Sequence, residues 1–150
     1  MNITLQQYKA LCEDIKEEIS LLANTTAFLN DILDDVSWVG FYLRKNDNLV
    51  LGPFQGKIAC TSINFGKGVC GTVAQTKKTL RVSDVHQFDG HIACDSASNS
   101  EIVVAIIVHD ELYGVLDLDS TSFSRFKEQD QILLEAIVAL LAMFLENIKH

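Results

Sequence analysis

No Cys-x-x-Cys pair occurs in this sequence, although it holds four cysteines. The spacings among Cys60, Cys70, Cys94, His86, His91 and His109 match none of the common zinc-ligand patterns, so no metal site and no cofactor is expected. Basic charge is scarce: 12 Lys and Arg face 20 Asp and Glu, a net charge of -8. That balance argues against nucleic acid and against an anionic membrane surface as partners. Long apolar runs are absent too. The run between Glu135 and Glu146 is too short to span a bilayer, and the polar start lacks the apolar segment of a signal peptide. A cytoplasmic location is the resulting expectation, and in a reducing compartment a static disulfide is not expected. Proline appears once, as Pro53, and no linker, repeat or low-complexity stretch divides the chain. Its 150 residues suggest one domain, 1–150, long enough to bury a core without staples.

What is present reads as α+β. Apolar residues recur at helical spacing over residues 4–22, and Asn24, Thr25 and Thr26 are expected to break that helix before a short second one ending near Leu33. Residues 36–43 and 49–54 form a hairpin around Lys45–Asn48, with a third strand over residues 57–65. A short helix runs from Gly66–Gly68 to about Thr76, and a short strand covers residues 80–82. A second hairpin joins residues 101–108 to 112–119, and residues 127–148 form a long helix. This order gives a mainly antiparallel sheet in an α/β sandwich. The terminal helices cover one face, and the middle helix with the long loop covers the other. The apolar arc on the last helix is wide enough to lie flat on the sheet or to pack partly on a second subunit, as in a homodimer.

Three features carry chemistry. The run 85–101, VHQFDGHIACDSASNSE, sets Cys94 in a polar loop at the mouth of an apolar strand. Buried structural cysteines sit among aliphatic residues; a cysteine in this setting is placed as a reactive thiol. The run GKGVCG at 66–71 satisfies a Gly-x-Gly-x-x-Gly pattern. It follows a hairpin rather than a parallel strand, so it reads as a tight turn into a helix instead of a dinucleotide site. That turn puts Cys70 in a first helical turn, where the dipole favours a thiolate. Cys12, on the apolar side of the first helix, reads as core.

The third feature is acidic. In GVLDLDS, strand alternation puts Asp117 and Asp119 on one face, and Glu101 starts the strand paired with theirs. Three carboxyl groups converging among apolar neighbours are costly unless a ligand uses them, and crowding raises the proton affinity of at least one. On the first strand, Trp38 and Tyr42 flank Gly40, which suggests either core packing or two aromatic walls with a gap for a methyl or thioether group.

With these residues in place, the chain resembles the free methionine-(R)-sulfoxide reductases, a family built on a lone GAF domain. The likeness runs from SWVGFY through LGPFQGKIAC, FGKGVCGT and GHIACDSASNSEIVV to GVLDLDS. Ala105 departs from it, standing where the family usually has proline after EIVV. The resemblance implies that Cys94 is the nucleophile and that Cys60 or Cys70 resolves it through a disulfide. It implies that Glu101, Asp117 and Asp119 bind substrate and that Trp38 and Tyr42 surround its methyl group. The implied reaction is reduction of free L-methionine-(R)-sulfoxide to methionine, with a thioredoxin-type reductant resetting the thiols and the loop of residues 85–99 acting as a lid. GAF domains also serve as small-ligand sensors, the rival expectation, although a passive sensor needs no such set of cysteines. A peroxide-sensing thiol switch, the third, has no use for the acids.

Overall fold

Strand alternation splits the central sequences into two apolar sets, and the fold gives each set its own layer. In a computed structural model, which describes residues 2–90 and 97–148, a six-stranded sheet runs in the order β3-β2-β1-β6-β5-β4. The strands are β1 (Trp38–Lys45), β2 (Asn48–Gln55), β3 (Ser62–Asn64), β4 (Leu80–Val82), β5 (Ser100–Val108) and β6 (Glu111–Ser120), and every pairing is antiparallel. The helices are α1 (Ile3–Cys12), α2 (Glu18–Ile32), α3 (Gly68–Thr76) and α4 (Glu128–Asn147). Among these helices none is long and apolar enough to cross a membrane.

One sheet face carries Val39 and Phe41 of β1, Leu116 and Leu118 of β6, and Ile102, Val104 and Ile106 of β5. It packs under α1, α2 and α4 through Tyr8, Leu21, Leu29, Leu134, Ile137 and Leu141, all fully buried. Truncating one such side chain to alanine typically costs about 2–5 kcal/mol, so this layer dominates stability. The other face carries Trp38, Tyr42, Val103 and Val115 and is covered by Val69, Cys70, Val73 and Ala74 of α3. The expected division, with terminal helices on one side and the middle helix on the other, is the one observed. On α4, Leu134, Ile137, Val138, Leu141 and Leu145 face the sheet, while Ile132 and Met143 stay exposed.

The break between the first two helices falls elsewhere than expected. The chain turns at residues 13–17, and Thr25 and Thr26 lie inside α2, both buried. The threonines satisfy themselves locally. Thr25 Oγ1 donates to Leu21 O at 2.8 Å, and Thr26 Oγ1 donates to Ala23 O at 2.7 Å. Such back-bonding lets a cap-forming residue sit mid-helix. The Thr25 hydroxyl also meets Tyr8 Oη at 2.8 Å, tying α2 to α1 inside the core. The third strand is likewise shorter than the expected 57–65, pairing only over Ser62–Asn64, and Ile58 and Ala59 before it line a cavity instead. Cys12 is fully buried, as expected of a core residue.

Candidate active site

Antiparallel register brings the acidic and aromatic residues together. Glu101 of β5 is the register partner of Asp119 on β6, and Asp117, two residues along the same face, stands opposite Val103. Across the β1–β6 pair, Trp38 is opposite Asp119 and Gly40 is opposite Asp117. Every expected residue on these three strands therefore lines one cavity, with Ile58, Ala59, Lys67, Cys70 and Ser98 completing its wall.

The aromatics form one continuous wall, not two with a gap. The Trp38 and Tyr42 rings stack 5.9 Å apart at 21°, and Trp38 also stacks on Phe54 at 5.2 Å. The space over Gly40 is taken: a Cβ there would meet Phe54 Cβ at 2.3 Å and Trp38 Cη2 at 2.7 Å. Glycine thus lets the Trp38 ring lie across its own strand, which closes the expected slot. The polar ends of the same rings fix the cavity rim. Trp38 Nε1 donates to Lys57 O at 3.1 Å, and Tyr42 Oη donates to Cys60 O at 2.9 Å. Cys60 is disulfide-bonded, whereas Cys12 and Cys70 carry free thiols. Cys94 lies outside the described residues. The rest of its loop is anchored at both ends. Val85 N donates to Asn99 O at 2.9 Å, Asn99 N donates to Ser120 O at 2.8 Å, and Gly68 N donates to Gly90 O at 3.1 Å.

Burial sets the electrostatics. Glu101 and Asp117 are 7% and 5% exposed, and among the described residues of the cavity wall the one cationic side chain is Lys67. Desolvation and the neighbouring Asp117 push the Glu101 carboxyl well above the usual carboxylate range. Desolvation and Asp119 push Asp117 up to about 8, although hydrogen bonds with Glu101 and Cys70 pull the other way. Asp117 Oδ1 is buried with no hydrogen-bond partner among the described residues. The proton affinities of Glu101 and Asp117 are thus both raised, as crowding of the three acids leads one to expect.

Cys70 departs from expectation. It does lie in the first turn of α3, but burial and the charges of Asp117, Glu101 and Asp119 push its thiol well above the ordinary range. The negative neighbours and the loss of water outweigh the helix dipole, whose effect near a terminus is about 0.3–1 kcal/mol. The thiol instead donates toward Glu101 Oε2 at 3.9 Å. Donor atoms of Cys70, Glu101 and Asp117 all lie within 4.8 Å of one another, a spacing that suits a small cation. It equally suits the shared protons that the raised affinities describe. His86 takes no part in this cluster: its ring Nε2 meets Asn99 Oδ1 at 2.9 Å on the surface.

Two polar lining residues, Lys67 and Ser98, were not among the site residues expected from the sequence. Lys67 sits at the start of α3, where its side chain makes no cap. Ser98 is 5% exposed, and its hydroxyl has no partner among the described residues. A lysine at a helix start was a legible signal, since an ammonium has no acceptor to offer a helix N-terminus.

Comparison with known proteins places this geometry in a family. The GAF domain model matches residues 17–145. The free methionine-R-sulfoxide reductase of Escherichia coli is 52% identical over 136 residues, covering 91% of this chain and 82% of that protein. The structure of fRMsr of Staphylococcus aureus in its reduced form superposes with a TM-score of 0.92 at 50% identity, covering 95% of this chain and 93% of that one. That of the Neisseria meningitidis free methionine-R-sulfoxide reductase in complex with its substrate superposes at 0.92 with 41% identity, covering 95% and 86%.

Proposed function

The chain belongs to the GAF-domain family, among the free methionine-R-sulfoxide reductases, and from that premise we propose that it reduces free L-methionine-(R)-sulfoxide to L-methionine, with Cys94 as nucleophile and Cys60 as the resolving cysteine. The observation that carries this reading is the shared cavity: buried carboxyl groups of raised proton affinity on one wall, with the disulfide-bonded Cys60 next in sequence to the lining residue Ala59.

The steps follow from the chemistry of the parts. The substrate ammonium is received by carboxylate, Asp119 being the acid of the three nearest solvent. Its methyl group rests against the Trp38–Tyr42 wall. The sulfoxide oxygen leaves only once protonated, and Asp117 supplies that proton. Its affinity lies near the working pH, and its Oδ1 is not engaged elsewhere in the described structure. The Cys94 thiolate attacks the sulfoxide sulfur, methionine departs, and the oxygen stays on Cys94 as a sulfenic acid. A second thiol displaces it as water, forming a disulfide, which a dithiol reductant of the thioredoxin type opens by exchange.

The choice of Cys60 over Cys70 rests on thiolate availability. A resolving thiol attacks as thiolate, and Cys70 is buried beside acids that oppose ionisation. Cys60 is only half-buried, on a segment held by Tyr42, and it is disulfide-bonded, whereas Cys70 carries a free thiol. The Cys60 bond, unexpected as a static feature, is then one state of a redox cycle. Cys60→Ser is expected to complete a single turnover and then lose thioredoxin-supported turnover by at least about a hundredfold, whereas Cys70→Ser keeps recycling. Single-turnover and steady-state assays of both variants separate the two roles. Stalling in Cys70→Ser alone would reverse the assignment.

A further inference from the structure

Each cycle of the proposed reaction leaves Cys60 in a disulfide, and an outside dithiol must reach that sulfur to reopen it. We propose that residues 57–60 are the docking surface for that reductant. The Ile58 side chain enters an apolar patch beside the dithiol of an acidic, thioredoxin-type protein, and Lys57 and Lys67 face its acidic rim.

Ile58 is presented rather than packed. It is 93% exposed, more than any other large apolar side chain among the described residues, Ile3 following at 71%. A lone exposed aliphatic residue needs no explanation in itself. This one stands two residues from the disulfide on a backbone that is pinned. Trp38 Nε1 donates to Lys57 O on one side of it, Tyr42 Oη donates to Cys60 O on the other, and Leu51 N donates to Thr61 O at 3.1 Å. Gly56, at φ +142°, fixes the entry to the segment: a Cβ there would meet Trp38 Cδ1 at 2.4 Å. The backbone thus holds a β-branched side chain, with little rotamer freedom to lose, out in water beside a disulfide. Such preordering lowers the entropy cost of being bound.

Charge marks the same place. Residues 48–83 hold five Lys and Arg and no Asp or Glu, in a chain of net charge -8. Lys57 and Lys67 of this stretch are exposed, and Lys67 lines the same cavity as Ile58. The cavity acids Glu101 and Asp117 are buried. A basic surface on an acidic protein draws an acidic partner and raises the encounter rate at low salt. The exchange itself balances with the dithiol alone. A reductant thiolate attacks Cys60 Sγ, the sulfur–sulfur bond breaks, and the other sulfur, that of Cys94 in the proposed cycle, leaves as a thiolate and takes up a proton. The second reductant thiol loses its proton and attacks the mixed disulfide. Cys60 departs as a thiol, and the reductant is left oxidised as a disulfide.

This inference rests on the proposed reductase activity, but its test needs no turnover of sulfoxide. The oxidised protein is mixed with a reduced acidic thioredoxin or with dithiothreitol, and free thiols are followed in time. In Ile58→Ser the second-order rate constant with thioredoxin is expected to fall about tenfold, while that with dithiothreitol stays within about twofold. Ile58→Leu keeps the wild-type rate. Lys57→Glu lowers the thioredoxin rate about tenfold at low salt, and the difference closes at about 1 M salt. A thioredoxin lacking its second cysteine is expected to be trapped on Cys60. Equal losses with the two reductants, an unchanged thioredoxin rate in Ile58→Ser, or trapping on Cys94 would overturn the docking surface. Failure of the reductase reading shows separately, as no methionine formed from the R sulfoxide with dithiothreitol, and leaves the comparison of reduction rates to decide the docking surface alone.

Discussion

Cys94→Ser is expected to reduce no methionine sulfoxide, a loss of at least about a thousandfold in kcat/KM, while the protein folds and binds methionine as before. The argument starts from the other three cysteines. Cys12 is sealed in the helical core, with burial raising its proton affinity. Cys70 is buried beside Glu101, Asp117 and Asp119, where a thiolate is disfavoured by both desolvation and charge. Cys60, disulfide-bonded here, is proposed to resolve the sulfenic acid rather than to meet the substrate. In the proposed reaction the nucleophile is Cys94, in a run of Asp95, Ser96, Ser98 and Asn99. A serine oxygen at neutral pH remains protonated and does not form the sulfur–oxygen product, so no partial activity is expected. Turnover by Cys94→Ser with dithiothreitol, followed as methionine released, would remove Cys94 from the mechanism.

Asp117→Asn is expected to lower kcat by about 10²–10⁴-fold and, at the same time, to stabilise the fold at alkaline pH. The two effects share one cause. Asp117 has its proton affinity pushed up to about 8 from 3.8, chiefly by burial, with Asp119 adding to it. Between those values the folded state binds a proton that the unfolded chain has released. Stability therefore falls as pH rises from about 4 to about 8, at up to about 1.36 kcal/mol per pH unit for one group, and levels off above. Glu101, shifted in the same direction, steepens the fall. An asparagine resembles the protonated acid and has no charge to lose, so the variant is expected to lie close to wild type at pH 5 and a few kcal/mol above it at pH 9. Urea unfolding midpoints across that range give the stability profile. Catalysis shares that proton: the wild-type rate falls as pH rises through about 8, and the variant's residual rate loses that limb. Identical slopes of stability against pH in the two proteins would show that Asp117 does not hold the proton.

Much of the site was legible because sheet geometry converts sequence spacing into position. Alternation alone puts Asp117 and Asp119 on one face, and a hairpin of the observed length brings Glu101 opposite Asp119. Trp38 and Tyr42 follow from the same rule on β1. What escaped depends on packing across layers. The Trp38 ring fills the space over Gly40 because β2 brings Phe54 against it, a contact that the β1 sequence does not encode. The first-turn position of Cys70 was readable, but its electrostatics turned on acids 31 to 49 residues away in sequence, which local rules cannot weigh against a helix dipole. Thr25 and Thr26 misled for a similar reason. Their capping chemistry is real, yet the Tyr8 contact and back-bonding hold them inside α2. Lys67 and Ser98 acquire meaning only once α3 is seen lying over the acidic face.

The most direct test of the central claim is incubation of the purified protein with the separate R and S epimers of free L-methionine sulfoxide and dithiothreitol, with methionine quantified over time. The expected result is conversion of the R epimer, catalytic in protein, with the S epimer left intact. Saturable binding of the R epimer without any methionine formed would contradict the account and leave a ligand-binding GAF domain in its place.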